Sequence, residues 1–272
     1  MSVSASSLPR ALSALPAMAR VGFAEAVAYR AEMLIWILST SMPLVMMPLW
    51  LAVTRGGPVQ GMSSSDVVAY FLATFIARQL TSCWVSWQIN WEVRQGTLAM
   101  RLLRPIPPIF AFMVEHVTAL PIRLVIAMPL TVTLLVVLAG DKLPHTLALW
   151  ALTLLSLAGA WTLTFFVQVA IGALSLFLQS SIRVMDVWFA GYMVFSGYLI
   201  PLRMFPTWVR EVIDWLPFRY QIGVPVELMT SAHALPEALG LVARQWGFAL
   251  LALAVAWLVW RRGVARFSAY GG

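Results

Sequence analysis

Long stretches of apolar residues alternate with short polar segments along the whole chain. A helix needs about 20 mostly apolar residues to cross the hydrocarbon core of a bilayer. Six stretches meet or approach this length, so the pattern predicts an all-α integral membrane protein with six transmembrane helices in a single transmembrane domain, residues 1–272. The fifth stretch is the shortest, and the boundary between the fourth and fifth spans stays open. The predicted spans are residues 33–54, 67–89, 118–139, 146–170, 187–202 and 239–260.

Residues 8–31 are predicted to form a helix that lies in the membrane interface before the first span. Leu15, Ala19 and Phe23 recur at a helical spacing and give the segment one apolar face, with arginines among its polar positions. Pro16 favours the alternative of a frayed tail, which the sequence leaves open.

The composition agrees with a lipid environment. Hydrophobic residues make up 61% of the chain and charged residues 11%, whereas soluble domains carry about 25% charged residues. The formal net charge of +7 is typical of arginine-rich loops that face anionic headgroups, so no nucleic-acid partner is expected. Six spans place both termini on one side, which holds the larger share of loop arginines. The positive-inside rule therefore predicts a multi-pass protein of the inner (plasma) membrane with both termini in the cytoplasm.

The polar segment between the second and third spans is the most informative cytoplasmic sequence. Residues 92–104 are predicted to form a short helix, broken or bent at Gly96 and stopped at Pro105. Its leucines give an apolar contact surface surrounded by arginines, and a short rigid helix between two spans can convey a push from a cytoplasmic partner. An ordinary positively charged loop is the alternative. The candidate contact residues are Glu92, Arg94, Gly96, Leu98, Arg101, Leu102, Leu103, Arg104 and Pro105.

The segment between the fifth and sixth spans, residues 205–231, is too long for a turn and too apolar for a solvated loop. Trp208, Val212 and Trp215 fall on one helical face, which predicts a re-entrant or surface-lying hairpin of short helices. Since irregular backbone at membrane depth is tolerated only beside protein or water, such a hairpin would line an exit. An interfacial aromatic belt is the alternative. The candidate gate and exit residues are Phe195, Gly197, Pro201, Phe205, Pro206, Trp208 and Pro217.

Four pieces of sequence carry a resemblance to a known family. They are G-T-L-A-x-R-L-L-R-P-I at 96–106, F-S-G-Y-L-I-P-L-R-M-F-P-x-W at 195–208, L-P-F-R-Y at 216–220, and Pro225. Over nearly its whole length the chain resembles the permease subunit of a type-2 ABC exporter, and it is similar to the daunorubicin-type and viologen-type branch. The resemblance implies an ATP-driven exporter made of two permeases, identical or related, and two cytoplasmic ABC ATPase subunits. It also implies a coupling helix at 92–104 and exit helices at 205–231.

No motif for binding nucleotide occurs in the chain itself. A phosphate-binding loop needs the pattern G-x-x-x-x-G-K-[ST], and Lys142, the only lysine, lies between Asp141 and Leu143. We therefore expect no directly bound cofactor and no metal, with ATP and Mg²⁺ on the partner ATPase. H-E-x-x-H and G-x-S-x-G are also absent, so no catalytic residue is assigned. The predicted function is export of an apolar or amphipathic substrate (drug, lipid or lipid-linked glycan); a non-transporting membrane scaffold or an intramembrane enzyme is the alternative.

Charged residues within the predicted spans are candidates for the transport path. Arg78 lies near the middle of the second span, where an arginine costs about 2.5–3.5 kcal/mol on insertion scales. It is therefore expected either to line the path or to pair with Glu115 or Asp186. Arg123 has the same two interpretations, and its position nearer the inner edge favours the structural one.

Aromatic residues recur at the cytoplasmic end of the second span, where Trp84 and Trp87 are followed by Trp91. The simplest interpretation is that they anchor the span at the inner interface. An aromatic wall in the transport path, which stacks on an aromatic or sugar substrate, is the alternative.

Overall fold

The computed structural model describes residues 7–28, 30–178, 180–231 and 233–267, so Tyr29 of the predicted interfacial helix lies outside the described part. The described chain is helical and without strands, which confirms the predicted all-α membrane protein. Its helices are α1 (Ser7–Ala28), α2 (Arg30–Ser39), α3 (Met42–Thr54), α4 (Ser64–Thr81), α5 (Val85–Arg94), α6 (Leu98–Leu102), α7 (Pro108–Thr118), α8 (Leu120–Ala139), α9 (Leu147–Ala173), α10 (Ile182–Phe195), α11 (Thr207–Ile213), α12 (Gly223–Thr230) and α13 (Leu235–Arg266).

Five helical stretches of the described chain are long and apolar enough to cross a membrane. They coincide with the regions of the first, second, third, fourth and sixth predicted spans. The five are Leu34–Thr54, Ser64–Arg94, Pro108–Lys142, Leu147–Leu176 and Leu235–Arg266.

The region of the fifth predicted span is different, because α10 has only 14 residues. At a rise of 1.5 Å per residue its length is about 21 Å, whereas the hydrocarbon core is about 30 Å thick. α10 ends at Phe195 and not at residue 202. Gly197 then turns the chain with a φ of 88°, a left-handed conformation that favours glycine. The count of six transmembrane helices therefore remains a prediction.

The first and second spans are each divided by a break in the helix. The first break lies between α2 and α3, just before Pro43, which occupies the first turn of α3. Proline is tolerated there because its missing N–H has no intrahelical partner in any case. In the second span α4 ends at Thr81 and α5 begins at Val85. The predicted continuous span over 67–89 is thus two helices with non-helical backbone between them.

α9 and α13 pack side by side and run in the same direction. A Cβ atom on Gly159 of α9 would lie 3.0 Å from Nε1 of Trp246 of α13. A Cβ atom on Gly263, near the end of α13, would lie 2.6 Å from Leu176, just beyond α9. Glycines at these positions let the two backbones approach closely. The earlier residue of α9 meets the earlier residue of α13, and the later meets the later, so the two helices are parallel. The connection between them, residues 177–234, must therefore return from one end of the molecule to the other.

Separate sets of contacts define the two ends of the molecule. At one end α6 packs beside α5 and the final turns of α9 and α13, and we call this the α6 end. At the opposite end Lys142 Nζ lies 2.9 Å from the Asp66 carboxylate. The Thr54 and Ser64 hydroxyls are 3.1 Å apart at the same end, which we call the Lys142 end.

The close approach of α5 to α9 at Gly172 gives a prediction about stability. A Cβ atom on Gly172 would lie 3.0 Å from the Cα atom of Ser86 and from Ile89. Gly172→Val should therefore push the two helices apart and lower the melting temperature in detergent by about 5 °C or more. Gly240→Val is the matched control, since nothing lies within 4 Å of a Cβ atom at that position. An equal loss in both variants would contradict this packing.

Candidate functional site

Polar side chains from three parts of the chain meet beside the break in the first span. Gln79 Nε2 donates to Thr40 Oγ1 at 3.0 Å, and Tyr198 Oη donates to the Thr40 carbonyl at 3.1 Å. Arg78 Nη1 donates to Tyr192 Oη at 3.1 Å. We call Thr40, Arg78, Gln79, Tyr192 and Tyr198 the central polar cluster. It connects the first span to α4 and to the end of α10.

Arg78 pairs with neither of the two carboxylates that the sequence offered. Glu115 binds residues of α5 and α6, and Asp186 is exposed on α10. Instead, the guanidinium carbon of Arg78 lies 5.2 Å from the ring centroid of Tyr192 and 5.6 Å from that of Tyr198. The negative faces of aromatic rings attract a cation and hold it in place. Tyrosines, which the sequence analysis did not single out, therefore surround the arginine.

Arg123 stabilises the break in the second span. Its Nη1 donates to the carbonyl of Ser82 at 2.9 Å and to the hydroxyl at 2.8 Å, and the residue is 2% exposed. Gln168 Nε2 donates to the Cys83 carbonyl at 2.7 Å. Backbone groups freed at membrane depth need a protein partner because no water is present there. This geometry favours the structural interpretation of Arg123.

The two candidate tryptophans have different surroundings. Trp84 stacks on Trp36 with ring centroids 5.6 Å apart, and its ring lies 4.6 Å from that of His116. Trp87 stacks on Trp91 at 5.6 Å, and both of these side chains are half-exposed. Trp84 thus covers the break in the second span, whereas Trp87 presents an open aromatic surface.

Gly96 divides the predicted segment 92–104 into two helical pieces. Glu92 and Arg94 belong to the last turn of α5. Gly96 has a φ of 73°, a conformation that strains any residue with a Cβ atom, and α6 follows as a helix of 5 residues. The turn at Gly96 therefore sets the direction in which α6 leaves the second span.

Arg101 joins α6 to both of its neighbouring helices. Its Nε and Nη2 donate to the Glu92 carboxylate at 3.0 and 2.7 Å, and its Nη1 donates to Glu115 of α7 at 2.6 Å. The guanidinium carbon also lies 4.2 Å from the ring centroid of Phe112. Burial alone would lower the pKa of Arg101, but the hydrogen bonds to Glu92 and Glu115 outweigh burial and raise this pKa above its ordinary value. We call Arg101, Glu92 and Glu115 the arginine clamp.

The remaining candidate contact residues separate into enclosed and exposed ones. Leu98 is fully buried, and Leu102 packs partly against the same core. Leu103 is 81% exposed, and Met100, which the sequence analysis missed, is 67% exposed. Met100 and Leu103 are one helical turn apart, and this spacing could have predicted that they share an apolar face. The exposed residues, which we call the α6 surface, are Arg94, Met100, Leu103, Arg104 and Pro105.

The segment between α10 and α13 folds back into the body of the molecule. The ring of Phe218 lies 4.6 Å from that of Trp188 on α10, and the Tyr220 carbonyl accepts a hydrogen bond from Gln245 Nε2 at 2.7 Å. Gln245 lies about 15 Å along α13 from the Lys142 end. α11, the turn at Arg219–Gln221 and α12 therefore form a hairpin that enters the molecule from that end, which we call the re-entrant hairpin.

The turn after α10, where the candidate gate begins, is tied to the first two spans. Tyr70 Oη donates to the Gly197 carbonyl at 2.8 Å, and Trp50 Nε1 donates to the Leu199 carbonyl at 3.0 Å. Both bonds fix backbone that no helix satisfies. Among the candidate residues, Gly197 and Pro201 are buried, Phe195, Phe205 and Pro217 are partly buried, and Pro206 and Trp208 are exposed.

A bridging arginine connects the two arms of the re-entrant hairpin. Arg219 forms an ion pair with Asp214, which follows α11, and donates from Nη2 to Glu227 of α12 at 2.8 Å. Arg203 donates to the Ser231 hydroxyl at 2.9 Å and closes the base of the hairpin. The sequence analysis did not predict these pairs. Its only indication that Arg219 matters was the L-P-F-R-Y motif that contains this residue.

These features define the class of protein: a multi-pass helical membrane protein with a short exposed helix at one end and a re-entrant hairpin at the other. A family model for an ABC-2 family transporter protein matches residues 16–271, and the chain belongs to this family. It is therefore a permease component of an ABC transporter, and this family associates with ABC ATPase subunits. Comparison with curated proteins and with solved structures gave no significant match. The daunorubicin-type or viologen-type branch remains a prediction.

Removal of Arg219 should loosen the re-entrant hairpin. Arg219→Gln leaves the buried Glu227 carboxylate without this partner, which costs about 1–3 kcal/mol. We expect a lower melting temperature in detergent. The double variant with Arg219→Gln and Glu227→Gln should recover part of the loss, because residues in one ion pair are not additive. If the double variant loses as much stability as the two single variants together, the pairing is contradicted.

Proposed function

We propose that this permease exports an apolar or amphipathic substrate, such as a drug, a lipid or a lipid-linked glycan, from the cytoplasm across the inner (plasma) membrane. In this proposal two permeases, identical or related, assemble with two ATPase subunits that bind ATP and Mg²⁺. The α6 end and both termini lie in the cytoplasm. The observation that carries the proposal is the exposed α6 surface, held rigidly by the arginine clamp.

The chemistry of the α6 surface suits a cytoplasmic protein partner. Met100 and Leu103 present apolar side chains that are exposed in the single chain. Exposed arginines surround them. An apolar centre with a charged rim is the usual anatomy of a protein interface. Closure of the ATPase subunits on bound ATP would press on this surface.

The arginine clamp supplies the connection from α6 to the spans. Arg101 holds α6 to the last turn of α5 and to α7, so that a force on α6 moves α5 and α7 together. α5 in turn contacts the start of α10, where Asn90 Oδ1 accepts a hydrogen bond from the Ser181 backbone N–H at 3.0 Å. The break between Thr81 and Val85 lets α5 tilt while α4 stays in place.

The proposed path lies between two permeases that face each other with their first, second and fifth spans. A tilt of α5 would carry the start of α10 with it and open a route past Phe195–Pro201. The substrate would leave under the re-entrant hairpin. The polar contacts that fix this region support the proposal, because side-chain hydrogen bonds exchange partners more readily than a continuous helical backbone breaks.

Substitution of Leu103 tests the proposed docking of the ATPase. Leu103→Asp places a charge in the apolar centre of the α6 surface, so ATP-dependent transport in proteoliposomes should fall by about tenfold or more, which corresponds to about 1.4 kcal/mol of lost docking energy. Leu147→Asp is the matched control, because Leu147 is 86% exposed at the first turn of α9, at the Lys142 end. Membrane insertion should be normal in both variants. Unchanged transport in Leu103→Asp would count against the docking role.

Substitution of Arg101 tests the transmission of force separately from docking. Arg101→Ala removes the clamp but leaves Leu103 and Met100 in place, so the ATPase should still copurify while transport is lost. Arg101→Lys keeps the charge without the bidentate geometry and should transport at an intermediate rate. Transport at the wild-type rate in Arg101→Ala would show that the clamp does not carry the force.

A further inference from the structure

Arg78 is a positive charge in the interior of the second span that has an unusual set of partners. It lies about 21 Å along α4 from the Lys142 end, one turn before the break at 82–84. The residue is partly buried. An arginine at this depth is costly unless protein, water or a ligand stabilises it.

The guanidinium of Arg78 uses only part of its hydrogen-bonding capacity. It has five N–H donors, of which one on Nη1 is bonded to Tyr192 Oη. Nε is enclosed without a partner in the described chain. The rings of Tyr192 and Tyr198 lie against the guanidinium.

Among the carboxylates whose side chains the structure describes, none forms an ion pair with Arg78. Asp186 on α10 lies about 9 Å nearer to the α6 end than Tyr192, the residue of α10 that Arg78 binds. Three carboxylates with described side chains have basic partners of their own, away from Arg78. These pairs are Asp66 with Lys142, Glu115 with Arg101, and Glu227 with Arg219.

Exposed apolar side chains lie on α10, the helix that carries Tyr192. The ring of Phe189 stacks on that of Tyr192 with centroids 5.8 Å apart, and Phe189 is 43% exposed. Val187, on the same helix, is 75% exposed. A molecule with an anionic head and an apolar tail fits both features, because charge-assisted bonds from arginine to an oxyanion are among the strongest hydrogen bonds.

We propose that Arg78 binds the anionic head, a carboxylate or a phosphate, of the transported amphipath, with Tyr192 and Tyr198 fixing the guanidinium. This inference rests on the proposed export function and specifies its substrate class. The tail of the amphipath lies against Phe189 and the exposed face of α10. A cationic head is disfavoured at this position, since like charges repel and no carboxylate with a described side chain pairs with Arg78.

Binding of two matched probes tests the proposal without any requirement for transport. The full-length permease in detergent is titrated with dodecyl phosphate and with dodecyltrimethylammonium, and bound probe is resolved by native mass spectrometry. Wild-type protein should bind dodecyl phosphate at least about tenfold more tightly than the cation, as expected for a charge-assisted hydrogen bond. Equal affinities for the two probes would overturn the proposal.

Substitutions locate the preference at Arg78. Arg78→Gln should abolish the preference for dodecyl phosphate, and Arg78→Lys, which retains the charge and guards against misfolding, should keep part of it. Arg244→Gln removes an exposed arginine from α13 and should change nothing. Retention of the full preference in Arg78→Gln would overturn the assignment. Leu103→Asp should bind the probe normally, so a failure of coupling and a failure of anion binding are distinguished.

The same measurement distinguishes a transported anion from a resident lipid. An anionic phospholipid that occupies the site would appear as added mass on the purified permease and would be displaced by dodecyl phosphate. In proteoliposomes with the ATPase subunits, a transported probe should leave the vesicle interior or inner leaflet only when ATP is present. Displacement of a phospholipid without ATP-dependent movement of the probe would identify a structural lipid and overturn the proposal.

Discussion

The requirement that backbone polar groups inside a membrane find a partner governs the centre of this molecule. The second span is broken after Thr81, and two side chains from other spans, Arg123 and Gln168, bind the carbonyls of Ser82 and Cys83. The break therefore ties the second span to the third and fourth. It also separates α4, which is enclosed by its neighbours, from α5, which ends beside α6. Without these donors the carbonyls of Ser82 and Cys83 would lose the side-chain partners that satisfy them.

The apolar stretches were sufficient to locate most of the spans, since the length of hydrophobic sequence is itself the physical requirement for crossing. They were insufficient to locate the break at Ser82–Trp84, because this sequence contains neither proline nor glycine. The break depends on a donor in the third span, and a tertiary contact of this kind has no local signature. The shortness of α10 was missed for a related reason: Gly197 ends the helix where Tyr70 accommodates the turn.

The candidate site shows the same division between local and tertiary information. Gly96 and Pro105 were sufficient to predict the position of the short helix α6. The sequence did not predict that Leu98 and Arg101 point inward, because a helix of five residues is too short to show which of its faces is apolar. The carboxylates that bind Arg101 come from two different helices. Arg78 and Tyr192 are 114 residues apart in the sequence, so no local pattern of residue spacing predicts their contact.

The parallel packing of α9 and α13 explains how five long helices are compatible with an additional passage of the chain. Their connection begins at the α6 end and must reach the Lys142 end, yet α10 covers only about 21 Å of that distance. The remainder is the turn at Gly197 and the re-entrant hairpin, whose backbone is fixed by side chains such as Tyr70, Trp50 and Arg219. Like the breaks in the first and second spans, this passage is not held by a continuous ladder of helical hydrogen bonds. In the proposed mechanism the bundle opens here, next to Arg78 and the exposed face of α10, because no helix has to unfold.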